Sequence, residues 1–326
     1  MLTEYNAAAT YNGYPNGQAY FGNATGPAQS AAGGGTFQAF EQHGYIYHHP
    51  TRSGGHANQI WGEIYQTWDS RGKEAGSLGY PRTRELNTAL GSVNGQIGRF
   101  NEFENGWIYW SGLTGPKVIE PPIFSQYASQ GWEAGQLGFP TTDTLSNCGE
   151  QGAGVSAKGQ AFEGGFLRAG TNRTFVFGQS NVVNIGGVPT LQIISDTTRY
   201  DNSVTWAIDA WNAVPSQVHL ERVPLAIDPG AKPVRIVDSN RGDIFGAYGY
   251  YSGPSGGFGS LSSTIELFYN QIQSHNVDPN YVVTHEVGHA LKLAHSCPTQ
   301  LMAAAPQTGI STPQPLDVAV LKSIWG

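Results

Sequence analysis

Three histidines and a glutamate crowd one short stretch near the C-terminus: His285-Glu286-Val287-Gly288-His289, then His295. Residues four apart on a helix share a face, so His285 and His289 can reach one metal ion. Glu286 stands beside the first of them, where its carboxylate can touch a water held by that ion. His295 follows His289 by six residues, about 600° of helical rotation, so one straight helix cannot present all three. The chain must turn between them and bring the third ligand from another direction. Three protein ligands leave a fourth position open, which suits zinc-assisted peptide hydrolysis rather than a structural ion.

The elements that must hold these groups follow from pattern. Asp278-Pro279 reads as a cap followed by proline at the first helical position, opening the helix that carries His285 and His289. Val283, Val287 and Leu291 recur on one face and would anchor it on a sheet. Upstream, Thr190–Ser195, Val218–Val223, Val234–Val237, Ile244–Tyr251 and Thr264–Tyr269 read as strands. Asp201 can cap a helix whose apolar face is Val204, Ile208 and Trp211. The fold class expected is α+β, a mixed sheet plus helices.

The stretch HEVGHALKLAHS (285–296) resembles the zinc-binding segment of metzincin peptidases, closest to the matrixin branch. The resemblance implies Zn2+ on His285, His289 and His295, Glu286 as general base, and Met302 as the methionine turn under the metal. It implies a zinc endopeptidase working through a zinc-bound water on protein or peptide substrates. The C-terminal PLDVAVLKSIWG resembles the family's last helix, with Asp317 at its acidic position and as the fallback carboxylate ligand. The likeness covers roughly the last 140 residues. One position departs: where the family has Gly after the second histidine, this chain has Lys292. Either Lys292 takes a left-handed conformation at a cost of roughly 1–2 kcal/mol, or the helix runs on and His295 is not a ligand. The first is expected, because His295 and Met302 otherwise fall in place. The family also implies an edge strand that pairs with extended substrate, here Ile244, Phe245, Gly246, Ala247 and Tyr248 within Ile244–Tyr251.

The two cysteines, Cys148 and Cys297, suggest one disulfide if the chain is exported. The matrixin resemblance offers a second role, latency through Cys148 on the metal, although LSNCGEQ shares only Cys-Gly with that motif. Calcium could be taken by the Asp- and Gly-rich turn Asp238–Asp243. His219 and His275 are isolated, so a second, structural zinc is not expected.

The first half repeats itself. IYQTWDSRGKEAGSLGYP from Ile64 matches IFSQYASQGWEAGQLGFP from Ile123 at an offset of 59 residues without a gap. An aromatic-acid pair follows each turn, Phe103-Glu104 and Phe162-Glu163. A third, degenerate copy opens at Gly13-Tyr14-Pro15 with Phe40-Glu41 behind it, and reads as incomplete, without a leading helix. These units resemble LGFP repeats of actinobacterial cell-wall-associated proteins. Each offers a short amphipathic helix, a Gly-Pro turn and an aromatic strand pair, and units must stack to bury their apolar faces. The resemblance implies wall glycan or the mycolate layer as partner; single aromatics such as Trp68 and Trp132 are expected in the repeat core. His43, His48, His49 and His56 fit no metal template and read as surface residues.

The chain of 326 residues divides, on this reading, into an LGFP-repeat region (1–175) and a matrixin-like peptidase domain (176–326). A net charge of −7 gives no reason to expect nucleic acid, and no apolar run is long enough to span a membrane. The first residues, MLTEYNAAATYNGYP, do not read as a secretory signal. The resemblances nonetheless imply an extracellular or wall-associated place, reached by another export route, from a precursor, or by phage lysis. Two rival functions fit the same residues: a wall-binding module with a degenerate zinc site, and a peptidoglycan- or wall-remodelling hydrolase.

Overall fold

The computed structural model describes residues 1–146, 148, 158–169, 174–176, 181–224, 233–241, 247–253 and 263–326. The chain divides into two compact units, Met1–Thr144 and Leu145–Gly326, each with its own core. The expected boundary at 175/176 therefore falls some way inside the second unit.

The first unit opens with helices α1 (Leu2–Tyr11) and α2 (Gly17–Phe21). A four-stranded antiparallel meander follows: β1 (Gln29–Ala31), β2 (Gly35–Ala39), β3 (Tyr45–His48) and β4 (Ala57–Ile60). Helix α3 (Gly62–Asp69) leads a second meander, β5 (Leu86–Leu90), β6 (Ile97–Phe103), β7 (Gly106–Trp110) and β8 (Lys117–Ile119), before α4 (Pro121–Ser129). The two repeats of this unit thus each build a four-stranded sheet rather than the expected strand pair.

The helices carry an aromatic residue whose polar tip fixes the following turn. Trp68 Nε1 donates to the Gly79 carbonyl and Tyr127 Oη to the Gly138 carbonyl, each at 2.9 Å. Behind each turn a glutamate closes it: Glu104 Oε2 accepts from the Tyr80 N–H at 2.8 Å. The same features locate the first copy and correct its reading. Tyr5 on α1 donates to the Gly22 carbonyl at 3.1 Å, and Glu41 Oε2 accepts from the Asn23 N–H at 2.9 Å. Ala24 bridges Phe40 as Pro81 bridges Phe103. The turn of this copy is therefore Phe21-Gly22-Asn23-Ala24, not Gly13-Tyr14-Pro15, and a leading helix is present. Gly76 and Gly135 show why Glu-Ala-Gly recurs: a Cβ at either would lie 1.8 Å from a backbone carbonyl oxygen, Arg71 O or Gln130 O.

Trp68 is core, whereas Trp132 stays 45% exposed and is not. His43 stacks on Tyr20, and buried His49 accepts the Arg52 N–H at Nδ1 while its Nε2 contacts the Gly33 carbonyl, so these two are structural rather than surface groups. Their imidazoles serve as flat polar spacers between aromatic rings and turns, a role that spacing alone does not signal.

The second unit begins with a hairpin, β9 (Gly159–Phe162) and β10 (Gly165–Arg168), with β11 (Thr174–Val176) on its far side. Its main sheet contains β12 (Val183–Ile185), β13 (Val188–Ser195), β14 (His219–Arg222), β15 (Val234–Ser239), β16 (Gly249–Ser252) and β17 (Ser263–Phe268). The order is β12-β13-β15-β17-β16, with β14 parallel to β13. β13, β15 and β17 run parallel; β16 is the antiparallel edge. Helices α5 (Asp201–Asn212), α6 (Tyr269–Ser274), α7 (Pro279–Ala290) and α8 (Pro315–Trp325) complete this mixed α+β unit. Asp201 is the first helical residue of α5, not its cap; its carboxylate takes the Ser195 hydroxyl and the Arg222 guanidinium instead. Val204 and Trp211 face the core with Val283, Val287 and Leu291 of the α7 segment.

Candidate metal centre

Helix α7 starts as the sequence dictates. The Asp278 carboxylate accepts from the Asn280 N–H at 2.9 Å and Pro279 occupies the first turn. Its far face is locked by Trp211, whose Nε1 donates to the Thr284 carbonyl at 2.9 Å. His285 and Glu286 are each only 7% exposed.

The helix ends at Ala290, and Lys292 takes φ +78°. The Leu293 N–H reaches back to the Gly288 carbonyl at 3.0 Å and the Lys292 N–H to His289, a Schellman-type ending. Of the two alternatives at Lys292, the left-handed turn is the one adopted. The chain reverses there and returns His295 towards α7.

The ligand atoms of His285, His289 and His295 lie within 4.8 Å of one another. His289 Nε2 and His295 Nε2 face each other at 3.2 Å. Tetrahedral zinc with Zn–N of about 2.0–2.1 Å sets its nitrogens about 3.4 Å apart, so a closure of at most about 1.5 Å completes the site. Two rings are already oriented: His285 Nδ1 lies 2.8 Å from the Leu301 carbonyl and His289 Nδ1 lies 2.7 Å from the Leu293 carbonyl. A carbonyl can only accept, so both Nδ1 atoms carry the proton and both Nε2 lone pairs are left for a cation. Burial pushes the His289 imidazole down to about 4 and His285 well below the usual range, so both are neutral, as a ligand must be. The donor set therefore fits a zinc ion. Among the described residues no other group of three such side chains could hold a metal.

Glu286 sits against the edge of the sheet. A Cβ at Gly249 would lie 3.0 Å from Glu286 Oε1, so glycine lets β16 approach the carboxylate. Burial raises Glu286 to about 8, opposed by the Tyr251 N–H that it accepts. The edge strand lies beside the site but later than expected. Ala247 and Tyr248 precede β16, and Ile244, Phe245 and Gly246 fall outside the described residues. Pairing with β17 sets this register, from Gly249↔Leu267 to Ser252↔Thr264.

Met302 is fully buried, with its Sδ beneath Gly288, where a Cβ would come within 2.4 Å of it. Asp317 is buried too, but its oxygens accept from the Leu301 and Met302 N–H groups at 2.8 and 3.2 Å and from the Gln314 N–H. It ties α8 to the Leu301-Met302 turn and is not part of the histidine cluster; burial raises it to about 6. The Leu301 carbonyl held by this clasp is the one that orients His285, a link that the sequence pattern did not reveal. Cys148 and Cys297 form a disulfide, so Cys148 has no thiolate to offer a metal. At the proposed calcium turn, Asp238 is engaged by the Thr197 hydroxyl at 2.6 Å, and Asp243 lies outside the described residues.

The LGFP repeat model matches residues 13–76 and 78–135, so the first unit contains LGFP repeats. No curated protein matches the chain. No helix among the described residues is long and apolar enough to cross a membrane.

Proposed function

We propose that the second unit is a zinc-dependent endopeptidase of the metzincin type, closest to matrixins, carried to its place of action by the LGFP repeats. The observation that carries this reading is the convergence of His285, His289 and His295, with two imidazoles oriented by carbonyls, beside a buried Glu286 at a sheet edge. His285, His289 and His295 would hold zinc, which would supply Lewis acidity to a water and to the scissile carbonyl. Glu286 takes the proton from the attacking water and passes it to the leaving amine. Its raised affinity for a proton makes it a better acceptor in the first step, and a dication bound beside it would favour the ionised carboxylate that this step needs. Edge strand β16 offers backbone groups to an extended peptide, setting the scissile bond near Glu286. Met302 and Asp317 support the site without touching substrate. The repeats suit attachment to wall glycan or the mycolate layer, which gives the enzyme an extracellular setting.

The test is cleavage of an unfolded protein substrate, with zinc, by the full chain and by Glu286→Ala side by side. Cleavage by the first alone is expected. Turnover of muropeptides but not protein would make the enzyme a wall-remodelling hydrolase. No cleavage of either substrate would leave a wall-binding module with a relict site.

A further inference from the structure

The hairpin β9–β10 is, by sequence, the sheet of a third repeat: Phe162-Glu163 stands 59 residues after Phe103-Glu104. In this chain it belongs to the second unit, where Ala161 and Phe166 enter the same core as Trp211, Val287 and Met302. It reaches the segment after His295 twice. Cys148, packed against Gly159 of β9, is bonded to Cys297. Arg168, the last residue of β10 and 3% exposed, donates from Nη2 to the Ser296 carbonyl at 2.8 Å. From the other side, the Ser296 N–H donates to the Met302 carbonyl at 2.7 Å. The two residues that follow His295 are thus held by the hairpin.

His295 needs such a hold more than its partners do. His285 and His289 are fixed by a helix, whereas His295 sits on the return of a turn, so its placement depends on how the backbone after it is held. The buried Arg168 guanidinium gives the Ser296 carbonyl a charge-assisted donor, a stronger hold on that backbone than a neutral group would offer. We propose that Arg168 is a positioning residue for the third metal ligand, and that the third repeat's hairpin, with its disulfide, has been taken over as a wall of the metal centre. This rests on the reading of the three histidines as a metal site.

The experiment titrates Co2+ and Zn2+ into the full metal-free chain and follows affinity and the visible cobalt spectrum. Wild type and His295→Ala define the three-ligand and two-ligand signatures. Arg168→Met is expected to weaken binding at least tenfold and to move the spectrum towards that of His295→Ala. Arg168→Lys, which keeps a charged donor, is expected to recover most of the loss. Should Arg168→Met not fold, the double variant Cys148→Ala, Cys297→Ala cuts the other tether and is expected to weaken binding in the same sense. Wild-type affinity and spectrum in Arg168→Met, or in the double variant where that one decides, overturn the proposal. So does a loss that Arg168→Lys fails to recover. If wild type itself binds neither ion, the metal reading falls first, a result separable from these.

Discussion

Lys292 stands at φ +78°, where an L side chain costs roughly 1–2 kcal/mol relative to the right-handed region. Replacing it by Gly removes that cost but loosens the unfolded chain by roughly 0.4–1 kcal/mol. It also removes the Lys292 ammonium from the face of Trp325, 5.6 Å from the ring centroid and worth about 0.5 kcal/mol at an exposed site. Lys292→Gly should therefore lie within about 1 kcal/mol of wild type. Lys292→Ala keeps the strained backbone and loses the cation, so it should be less stable than wild type. The difference between the two variants isolates the backbone term, about 0.5–1 kcal/mol in favour of Gly, or roughly 1–4 °C for a unit of this size. Calorimetry of the metal-free full chain reads it in the transition of the second unit. If Gly is no more stable than Ala, the turn that returns His295 to the site is not strained in the way described, and its account fails.

Three further outcomes are expected. Glu286→Gln should abolish turnover yet keep zinc, because the carboxylate is not a ligand; equilibrium dialysis beside a cleavage assay checks both. Gly288→Ala drives a methyl against buried Met302 and the Trp211 ring, 2.4 and 3.0 Å away, and should destabilise the unit by about 1–3 kcal/mol in denaturant titration. In the metal-free chain His289 is held neutral down to about 4, while its unfolded counterpart protonates near 6.5. The unfolded state then binds more protons, so stability present above 6.5 is lost as pH falls towards 4, by about 3 kcal/mol. Glu286 and Asp317 are raised and act in the opposite direction, so His289→Gln is the reference at each pH. An advantage of wild type over that variant that does not shrink on acidification would contradict the assignment.

What the residues disclosed in advance was geometry decided by local spacing. The His285–His289 face, the Asp278-Pro279 helix start and the turn at Lys292 are each decided within a few residues, and each is found as read. Misreadings occurred where a distant partner decides. Phe21-Gly22-Asn23-Ala24 shares only glycine with the later turns, and Glu41 and Tyr5 identify it only once the chain is folded. The edge strand slipped towards the C-terminus because β17, not the aromatic alternation of Ile244–Tyr251, sets its register. Asp317 looked like a spare ligand because a carboxylate near a metal motif and a carboxylate holding a turn are the same letter. The fate of the third hairpin was hidden for a similar reason: its residues keep the repeat's pattern while their packing partners have changed.

The glutamates of the Glu-Ala-Gly turns have a consequence for how such a chain can grow. Glu74 accepts from the Ala32 N–H and Glu133 from the Ala89 N–H, so each Glu-Ala-Gly turn fastens onto the sheet encoded just before it. The aromatic residue of the next turn follows suit: Tyr80 crowds Gly35, and Phe139 crowds Gly98. Both kinds of link join immediate neighbours and point the same way along the chain. A duplication or loss of 59 residues would therefore rejoin equivalent surfaces at these links. Copy number is free to drift under selection for reach alone, much as a ladder changes length by whole rungs, until the last rung is built into something else.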